Sequence, residues 1–311
     1  MDGDVDDEVR QVRAAVPLAR RPDRQRWVHA GAARLSVWEW GDADAPPLLV
    51  AHGGFDFAGT LDVFAPMLAA GGWRVVSWDQ RGHGDSDHAP IYSWSSDVRD
   101  SLAVFDSIGT DPLPVVGHSK GGNLMLELAE AQPYRFRTMV NLDGIPTGAN
   151  APDVSERDRT KLLSGELAAW LDHRRRLAGH RRRPDTLDGL AKRRAVMNPR
   201  LSIDWLRYLV TVGGRRDADG WRWKTDPALR LGGFGPRRPE WGLRNLAGIG
   251  VPFLGVLGTE PDPMGWGTRE GDVGGLLPRH GEVVQLDGVG HFVHIEKPRE
   301  VADLVLEFVA R

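Results

Sequence analysis

The turn around Ser119 constrains the fold of this 311-residue chain more than any other feature. A short β-branched segment leads into Gly117-His118-Ser119-Lys120-Gly121, and a run rich in helix-forming residues follows. Glycines two positions before and after the serine avoid side chains that would collide with the adjoining strand and helix. The N-terminus of that helix would favour negative charge at the serine. The pattern indicates a nucleophile elbow, and Ser119 is the candidate nucleophile.

Segments with strand and helix character alternate along most of the chain. Short apolar segments predict strands at residues 33–40, 47–51, 73–78, 113–117, 138–142, 251–257 and 282–286. Segments with apolar residues at helical spacing separate most of them, at residues 61–70, 97–108, 124–131 and 301–309. This alternation predicts an α/β fold with a mostly parallel sheet that is covered by helices on both faces.

The alternation stops after Asp143 and resumes near Val251. Residues 146–245 are therefore predicted to form an inserted helical cap, with helices at 157–171, 187–196 and 204–212. The α/β core would comprise residues 25–145 and 246–311. The charged residues 1–24 are expected to form a loose arm or a peripheral helix.

The predicted cap is basic. It contains 22 Lys and Arg residues against 12 Asp and Glu, a net charge of +10, whereas the whole chain carries −3 and the remainder therefore −13. Attraction between cap and core, together with solvated helix faces, is the favoured interpretation; steering of an anionic substrate or of nucleic acid is the alternative. Because no nucleic-acid-binding motif accompanies the basic runs, no nucleic-acid partner is expected.

Composition also limits the cellular setting. The chain has no cysteine, which excludes disulfides, thiolate metal ligands and a cysteine nucleophile. No apolar run approaches the roughly 20 residues that cross a bilayer, and the first residues are acidic where a signal peptide would be basic. We expect a cytoplasmic protein without membrane association.

His291 is the candidate general base. It lies in a glycine-rich loop between the last predicted strand and the terminal helix, and an imidazole is the usual group that takes the proton of a serine hydroxyl. The nearby His294 is expected to be a surface or packing residue. The oxyanion that forms on attack needs backbone N–H donors, which Gly54 and Lys120 are predicted to supply, with Phe55 as a further candidate. The side chain of Lys120 is expected to face solvent.

Four motifs together resemble the α/β-hydrolase superfamily, in its cap-bearing serine hydrolase branch. They are His52-Gly53-Gly54, the loop at residues 79–86, the turn around Ser119, and Gly290-His291-Phe292 with the residues that follow. The resemblance covers about residues 27–309 and implies an eight-stranded sheet with an acid that completes a Ser, acid, His triad. It also implies that Asp79 and His83 have structural roles.

The sequence departs from the common superfamily pattern at the acid. Where an aspartate usually follows the strand after the cap, Pro261 stands, with Glu260 and Asp262 on either side. The resemblance offers a second position, used by some haloalkane dehalogenases, at the end of the strand after the nucleophile, and Asp143 matches it. We favour Asp143, then Asp262, then Glu260.

With Ser119 as the nucleophile, the implied chemistry is attack on an activated carbonyl and formation of an acyl-enzyme, without metal or organic cofactor. Our first hypothesis is hydrolysis of a small-molecule carboxylic ester or related acyl bond, in the manner of a carboxylesterase. Related epoxide hydrolases and dehalogenases carry aspartate at the position of Ser119, which argues against their reactions here. The alternatives are a C–C bond, lactone or peptide-like hydrolase, or a non-catalytic ligand-binding homologue. The predicted cap tryptophans would line a pocket or, for most of them, pack the cap on the core: Trp170, Trp205, Trp221, Trp223 and Trp241.

Overall fold

A computed structural model describes residues 2–146, 156–177, 179–180, 182–230, 242–243 and 246–311. It has ten strands among these residues: β1 (Arg24–Ala30), β2 (Ala33–Trp40), β3 (Pro47–Ala51), β4 (Arg74–Trp78), β5 (Leu113–His118), β6 (Phe136–Leu142), β7 (Gly214–Asp217), β8 (Gly220–Trp223), β9 (Phe253–Gly258) and β10 (Gly281–Leu286). The α-helices in the same part of the chain are α1 (Asp2–Ala14), α2 (Phe64–Ala70), α3 (Trp94–Ile108), α4 (Lys120–Ala131), α5 (Glu156–Leu177), α6 (Leu187–Met197), α7 (Ile203–Gly213), α8 (Glu270–Val273), α9 (Val293–Glu296) and α10 (Pro298–Val309).

Eight strands form one sheet in the order β1-β2-β4-β3-β5-β6-β9-β10. Only the pairs β1/β2 and β2/β4 are antiparallel; the other pairs are parallel. The predicted mostly parallel α/β sheet is confirmed. Strand β1 was not predicted from the sequence, because its side chains alternate between exposed and buried positions, as is typical of an edge strand with one face in solvent.

Both faces of the sheet are buried. Adjacent residues of one strand pack into different cores: Leu49 lies in a cluster with α3 and α4, whereas Leu48 and Val50 lie in a cluster with α2 and α10. This double burial explains why the central strands are continuous apolar runs rather than alternating ones. The sheet is therefore a rigid support for the loops at its carboxyl edge.

The register of the parallel strands brings the predicted site residues to that edge. His118 pairs with Leu142, so Ser119 and Asp143 are the next residues on two neighbouring strands. Ala51 pairs with Gly117, which places the loop that starts at His52 beside the same turn. Loops at the carboxyl ends of parallel strands are where α/β proteins bind ligands.

Helices α5, α6 and α7 and the hairpin β7–β8 lie between β6 and β9 in the chain. The predicted helices of this insertion agree with α5, α6 and α7, but the hairpin was not expected in a helical cap. The boundaries of a separate cap at 146–245 stay a prediction. Trp170, Trp205 and Trp221 are buried. Trp170 packs against Tyr92, outside the insertion, whereas Trp205 and Trp221 belong to a cluster formed mostly by residues of the insertion. Trp241 lies outside the described residues.

The N-terminal residues form a peripheral helix, the second of the two predicted possibilities. Helix α1 contacts α7, and Val9 and Val12 pack against the apolar cluster of α6 and α7. Asp62, which is buried, holds this region in place by accepting hydrogen bonds from Arg21 (2.6 Å) and from the Tyr208 hydroxyl (2.6 Å). Burial raises the pKa of Asp62 to about 6 despite both partners.

Candidate active site

Ser119 has the strained backbone expected of a nucleophile elbow, with φ 52° and ψ −122°. It is partly exposed and immediately precedes α4, in a turn where neighbouring chains approach closely. A Cβ at Gly117 would lie 2.6 Å from Gly122 Cα, and one at Gly121 would lie 2.6 Å from the carbonyl oxygen of Ala51. The two glycines of the motif are therefore required by packing.

His291 and Asp143 form a hydrogen bond of 2.6 Å between Nδ1 and Oδ2. Both side chains are buried, and Asp143 also accepts a hydrogen bond from Gly258 N–H through its other oxygen, at 3.2 Å. Asp143 itself adopts a left-handed conformation with φ 46°, held by a bond of 2.8 Å from its N–H to the Val256 carbonyl. Since Nδ1 is engaged by the carboxylate, Nε2 of His291 is the nitrogen left to exchange a proton.

The alternative acids lie elsewhere. Asp262 accepts a hydrogen bond of 2.8 Å from Met264 N–H, and its other oxygen is buried without a hydrogen-bond partner among the described residues. Glu260 is exposed on the loop after β9. The structure thus brings Asp143, and neither of these two carboxylates, to His291.

His118, the residue before Ser119, contacts His291 through a hydrogen bond and through its ring. Its Nε2 donates to the His291 carbonyl oxygen at 3.0 Å, and the two ring centroids lie 4.7 Å apart. Burial, together with the neighbouring histidines, lowers the pKa of His118 well below its usual range, so this ring is neutral. Sequence reasoning did not assign His118 a role, because only the fold brings it to the His291 loop.

His294 packs on the other side of His118, with ring centroids 4.4 Å apart, and also against Phe64. Burial lowers its pKa to about 3. This placement agrees with the packing role that we expected. The Asp143 carboxylate accepts hydrogen bonds from His291 and from Gly258 N–H, and not from His294.

The loop at residues 52–56 is held by neutral histidines. His52 accepts a hydrogen bond from Gln80 N–H at Nε2 (2.9 Å), so its Nδ1 carries the proton and donates to the Gly53 carbonyl (2.7 Å). Phe55, with φ 60°, donates its N–H to His83 Nε2 at 3.2 Å. That bond uses the donor that we considered for the oxyanion, so in this arrangement the predicted donors are Gly54 and Lys120.

Lys120 begins α4, and the first N–H groups of a helix have no acceptor within the helix. Its side chain does not face solvent as we expected. The ammonium group pairs with Asp97 (2.7 Å) and donates to Gln80 Oε1 (2.9 Å), and only 10% of the side chain is exposed. The expectation was wrong because α3, which supplies Asp97, packs against the start of α4.

Asp79 has a structural role, as the resemblance implied. Its carboxylate accepts hydrogen bonds from Ala58 N–H (2.7 Å), Asp85 N–H (2.8 Å) and Trp38 Nε1 (3.1 Å). Burial nevertheless raises its pKa to about 6. These bonds fix the loop at residues 79–86 and tie it to Trp38 and Ala58.

An ion pair joins the insertion to the loop that carries Gly54. Arg194 of α6 donates to the Phe55 carbonyl oxygen at 3.0 Å and to Asp56 Oδ1 at 2.5 Å. Both side chains are largely buried, and burial raises the pKa of Asp56 despite the guanidinium beside it. The conformation of this loop therefore depends on the inserted helices.

A cavity of about 340 Å³ lies next to this ion pair. Phe55 and Met264 line it from the core loops, and Trp223 and several arginines line it from the insertion. Met264 precedes Gly265, where an added Cβ would lie 3.4 Å from His291 Cβ and 3.6 Å from Asp143 Oδ2. Met264 therefore connects this cavity with the segment beside His291 and Asp143, while the described lining includes none of the three predicted catalytic residues.

Two further observations limit other kinds of site. Within the described ranges, no group of three or more His, Asp or Glu side chains is arranged to hold a metal ion. In the same part of the chain, none of the helices has the length and apolar character that spanning a bilayer requires.

Comparison with known proteins finds related sequences and structures. The profile of the alpha/beta hydrolase family matches residues 48–304. The chain is 26% identical to the sn-1-specific diacylglycerol lipase ABHD11 of Mus musculus over 277 residues, which cover 87% of this chain and 83% of that protein. It is also 26% identical to Epoxide hydrolase A of Mycobacterium tuberculosis over 316 residues, covering 92% and 97% of the two chains.

Among solved structures, the thioesterase domain from the curacin biosynthetic pathway is similar to this chain. Its TM-score is 0.76 at 25% identity, and the match covers 91% of this chain and 99% of that domain. The family profile spans more than half of the chain, and the sheet order and the Ser119 turn agree with it. This chain is therefore a member of the α/β-hydrolase family.

Proposed function

We propose that the protein is a serine hydrolase that cleaves a carboxylic ester, or a related acyl bond, of a small molecule. The observation that carries the proposal is the 2.6 Å bond between Asp143 and His291 at the same sheet edge as the strained Ser119 turn. Acid, imidazole and hydroxyl are the three groups that acyl transfer through a serine requires. The match to a lipase and to a thioesterase domain supports acyl chemistry without fixing the bond.

In the proposed mechanism, Ser119 Oγ attacks the substrate carbonyl while His291 Nε2 takes the hydroxyl proton. Asp143 holds the ring by Nδ1 and stabilises the imidazolium that forms. The N–H groups of Gly54 and Lys120 stabilise the oxyanion, and the positive end of α4 adds to that field. His291 then protonates the leaving alkoxide as its bond to the acyl carbon breaks, which gives the acyl-enzyme. In the second half, His291 takes a proton from the attacking water and returns it to Ser119 Oγ as the bond to serine breaks and the carboxylic acid leaves.

The serine at position 119 also favours ester hydrolysis over epoxide opening, the reaction for which one relative is named. The epoxide hydrolase is similar over nearly the whole chain. A serine nucleophile suits attack on a carbonyl, because the resulting acyl-enzyme is released by water at the same carbonyl carbon. Ester hydrolysis is therefore preferred over epoxide opening.

The test combines turnover with active-site labelling. Wild type is expected to release p-nitrophenol from short-chain p-nitrophenyl esters and to be labelled by a fluorophosphonate, whereas Ser119→Ala does neither. Ser164→Ala, which changes an exposed serine of α5, is the matched control and retains both properties. Labelling without turnover of these esters would indicate another acyl substrate. Absence of labelling in folded wild-type protein would favour the non-catalytic, ligand-binding alternative.

A further inference from the structure

The cavity beside the Arg194–Asp56 ion pair is lined by three arginines, Arg182, Arg193 and Arg194. Its other described walls are Thr225 and the apolar side chains of Phe55, Trp223 and two methionines. None of the described residues that line it is acidic. A small cavity with this charge and these walls is suited to a ligand with an apolar body and an anionic group.

Two of the three arginines already have carboxylate partners. Arg194 pairs with Asp56 at 2.5 Å, and Arg193 pairs with Asp185 at 3.0 Å. These two guanidinium groups are therefore largely neutralised by the protein itself.

Arg182 is different. It is partly buried, and it donates only to backbone carbonyl oxygens: Nε to Thr225 at 3.1 Å and the terminal nitrogen Nη2 to Asp226 at 3.3 Å. Among the described residues no carboxylate lies within ion-pair distance of it, and the Asp226 carboxylate accepts instead from the Tyr92 hydroxyl at 2.5 Å. Burial lowers the pKa of Arg182, as expected for a guanidinium that is partly removed from water. The Asp226 carboxylate, which lies beyond ion-pair distance, offsets part of this burial cost, and an anion in direct contact would stabilise the guanidinium further.

Arg182 also occupies a central position. It lines the cavity of about 340 Å³ and two neighbouring cavities of about 690 and 330 Å³, and Trp223 also lines all three. Two residues that line the first cavity together with Arg182, Phe55 and Met264, are chain neighbours of the predicted oxyanion donor Gly54 and of Gly265, which lies beside His291. The net charge of +10 in residues 146–245 would draw an anion toward the same place.

We propose that Arg182 binds a terminal anionic group of the substrate, a carboxylate, sulfate or phosphate, while the rest of the acyl chain packs against Trp223 and Met264. This inference rests on the proposed ester hydrolysis and specifies its substrate class: an ester with an acyl chain that ends in an anion. The planar guanidinium, with its backbone carbonyl partners, presents its remaining N–H groups in a fixed orientation that suits an oxyanion.

The first test measures binding without catalysis. Calorimetry of the Ser119→Ala protein with pentanoate, butyl sulfate, butyl phosphate and the neutral 1-butanol compares head groups on short alkyl chains. At least one anion should bind roughly tenfold or more tighter than the alcohol, and adding Arg182→Gln should remove that preference. The anion that gains most identifies the head group. Equal binding of all four probes would overturn the proposal.

Two further variants separate charge at Arg182 from general charge and from misfolding. Arg216→Gln makes the same charge change at an exposed position of β7 that does not line these cavities, and it should leave anion binding unchanged. Arg182→Lys keeps the charge and should retain part of the preference. Equal weakening by Arg182→Gln and Arg216→Gln would attribute the effect to net charge and overturn the proposal. If Arg182→Gln does not fold, the probe comparison in the parent protein and Arg182→Lys still decide.

The second test measures selectivity in turnover. The p-nitrophenyl monoester of glutaric acid and its methyl ester have the same chain and differ in terminal charge. The ratio of their kcat/KM values should fall roughly tenfold or more in Arg182→Gln, after subtraction of spontaneous hydrolysis measured with Ser119→Ala. An unchanged ratio would overturn the proposal. The protein could instead bind anions through Arg182 and hydrolyse neither ester. That result would support the anion site and reject ester hydrolysis.

Discussion

His118 Nε2 donates to the carbonyl oxygen of His291 at 3.0 Å, which ties the residue before the predicted nucleophile to the predicted base. We expect His118→Phe to lower kcat roughly 10- to 100-fold with little change in KM, because the His291 loop loses a bond that fixes its position. His118→Gln can still donate from a similar position and should recover part of the loss. Steady-state kinetics on a p-nitrophenyl ester, with thermal unfolding as a check on folding, measure this. Equal loss in both variants would show that the bond is not responsible.

Asp143→Asn is expected to lower kcat by roughly 10⁴-fold, because an amide cannot hold the required tautomer of His291 or stabilise its charged form. Asp262→Asn provides the comparison, since this carboxylate accepts a hydrogen bond from Met264 N–H and is not bonded to His291. Its loss should be far smaller. If kcat falls more in Asp262→Asn than in Asp143→Asn, with both proteins folded, the acid of the triad is Asp262 on the loop after β9.

Arg194 and Asp56 should be strongly coupled. Removing either partner alone leaves a buried charge without its counterion, at a cost of about 3–5 kcal/mol. Asp56→Asn combined with Arg194→Gln should therefore cost clearly less than the sum of the single changes. Denaturant unfolding of the four proteins gives the coupling free energy. Additive losses would mean that the pair contributes no specific interaction to stability.

His294 should make the protein sensitive to acid. Its pKa is about 3 in the folded protein but near 6.5 when unfolded, so below about pH 6.5 the unfolded chain gains a proton that the folded chain does not. The contribution is intact above pH 6.5 and is lost as the pH falls toward 3. Between pH 7 and 5, His294→Gln should lose about 2 kcal/mol less unfolding free energy than wild type. His280→Gln, at an exposed position, is the control and should follow the wild-type curve.

Gly121→Ala and Gly165→Ala should have opposite effects on stability. The new Cβ at position 121 would lie 2.6 Å from the Ala51 carbonyl oxygen, so we expect a loss of roughly 3 kcal/mol. Gly165 lies in α5 with nothing within 4 Å of an added Cβ. Alanine there should raise the unfolding free energy by about 0.5–1 kcal/mol. Thermal unfolding of both variants measures the contrast, and a destabilised Gly165→Ala would contradict it.

The sheet and the Ser119 turn could be predicted from sequence because their signals are local. Apolar runs mark the central strands, and two glycines at fixed spacing mark the turn. The hairpin β7–β8 was missed because each strand has four residues, and its first strand, Gly-Arg-Arg-Asp, has no apolar residue to alternate.

The acid and the environment of Lys120 depend on contacts between distant segments. Three carboxylates were compatible with the chain order, and the register of β6, β9 and β10 is what brings Asp143 beside His291. Likewise, a lysine is usually exposed, but the side chain of Lys120 is largely buried because Asp97 and Gln80 contact it from other elements. Residue spacing carries no information on such distances. Arg182, which has no carboxylate within ion-pair distance among the described residues, is a further case, since its surroundings come from the segment around Thr225.

The link from Arg194 to Phe55 and Asp56 has a consequence for protein engineering and for evolution within the family. An enzyme in which residues 146–245 were replaced by a short linker would keep the sheet, the Ser119 turn and the Asp143–His291 bond. It would lose the guanidinium that neutralises Asp56 and fixes the Phe55 carbonyl, next to the predicted oxyanion donor Gly54. We therefore expect that exchanging this insertion between relatives changes the rate of the catalysed step as well as the substrate range, unless the new insertion also supplies an arginine at the position of Arg194.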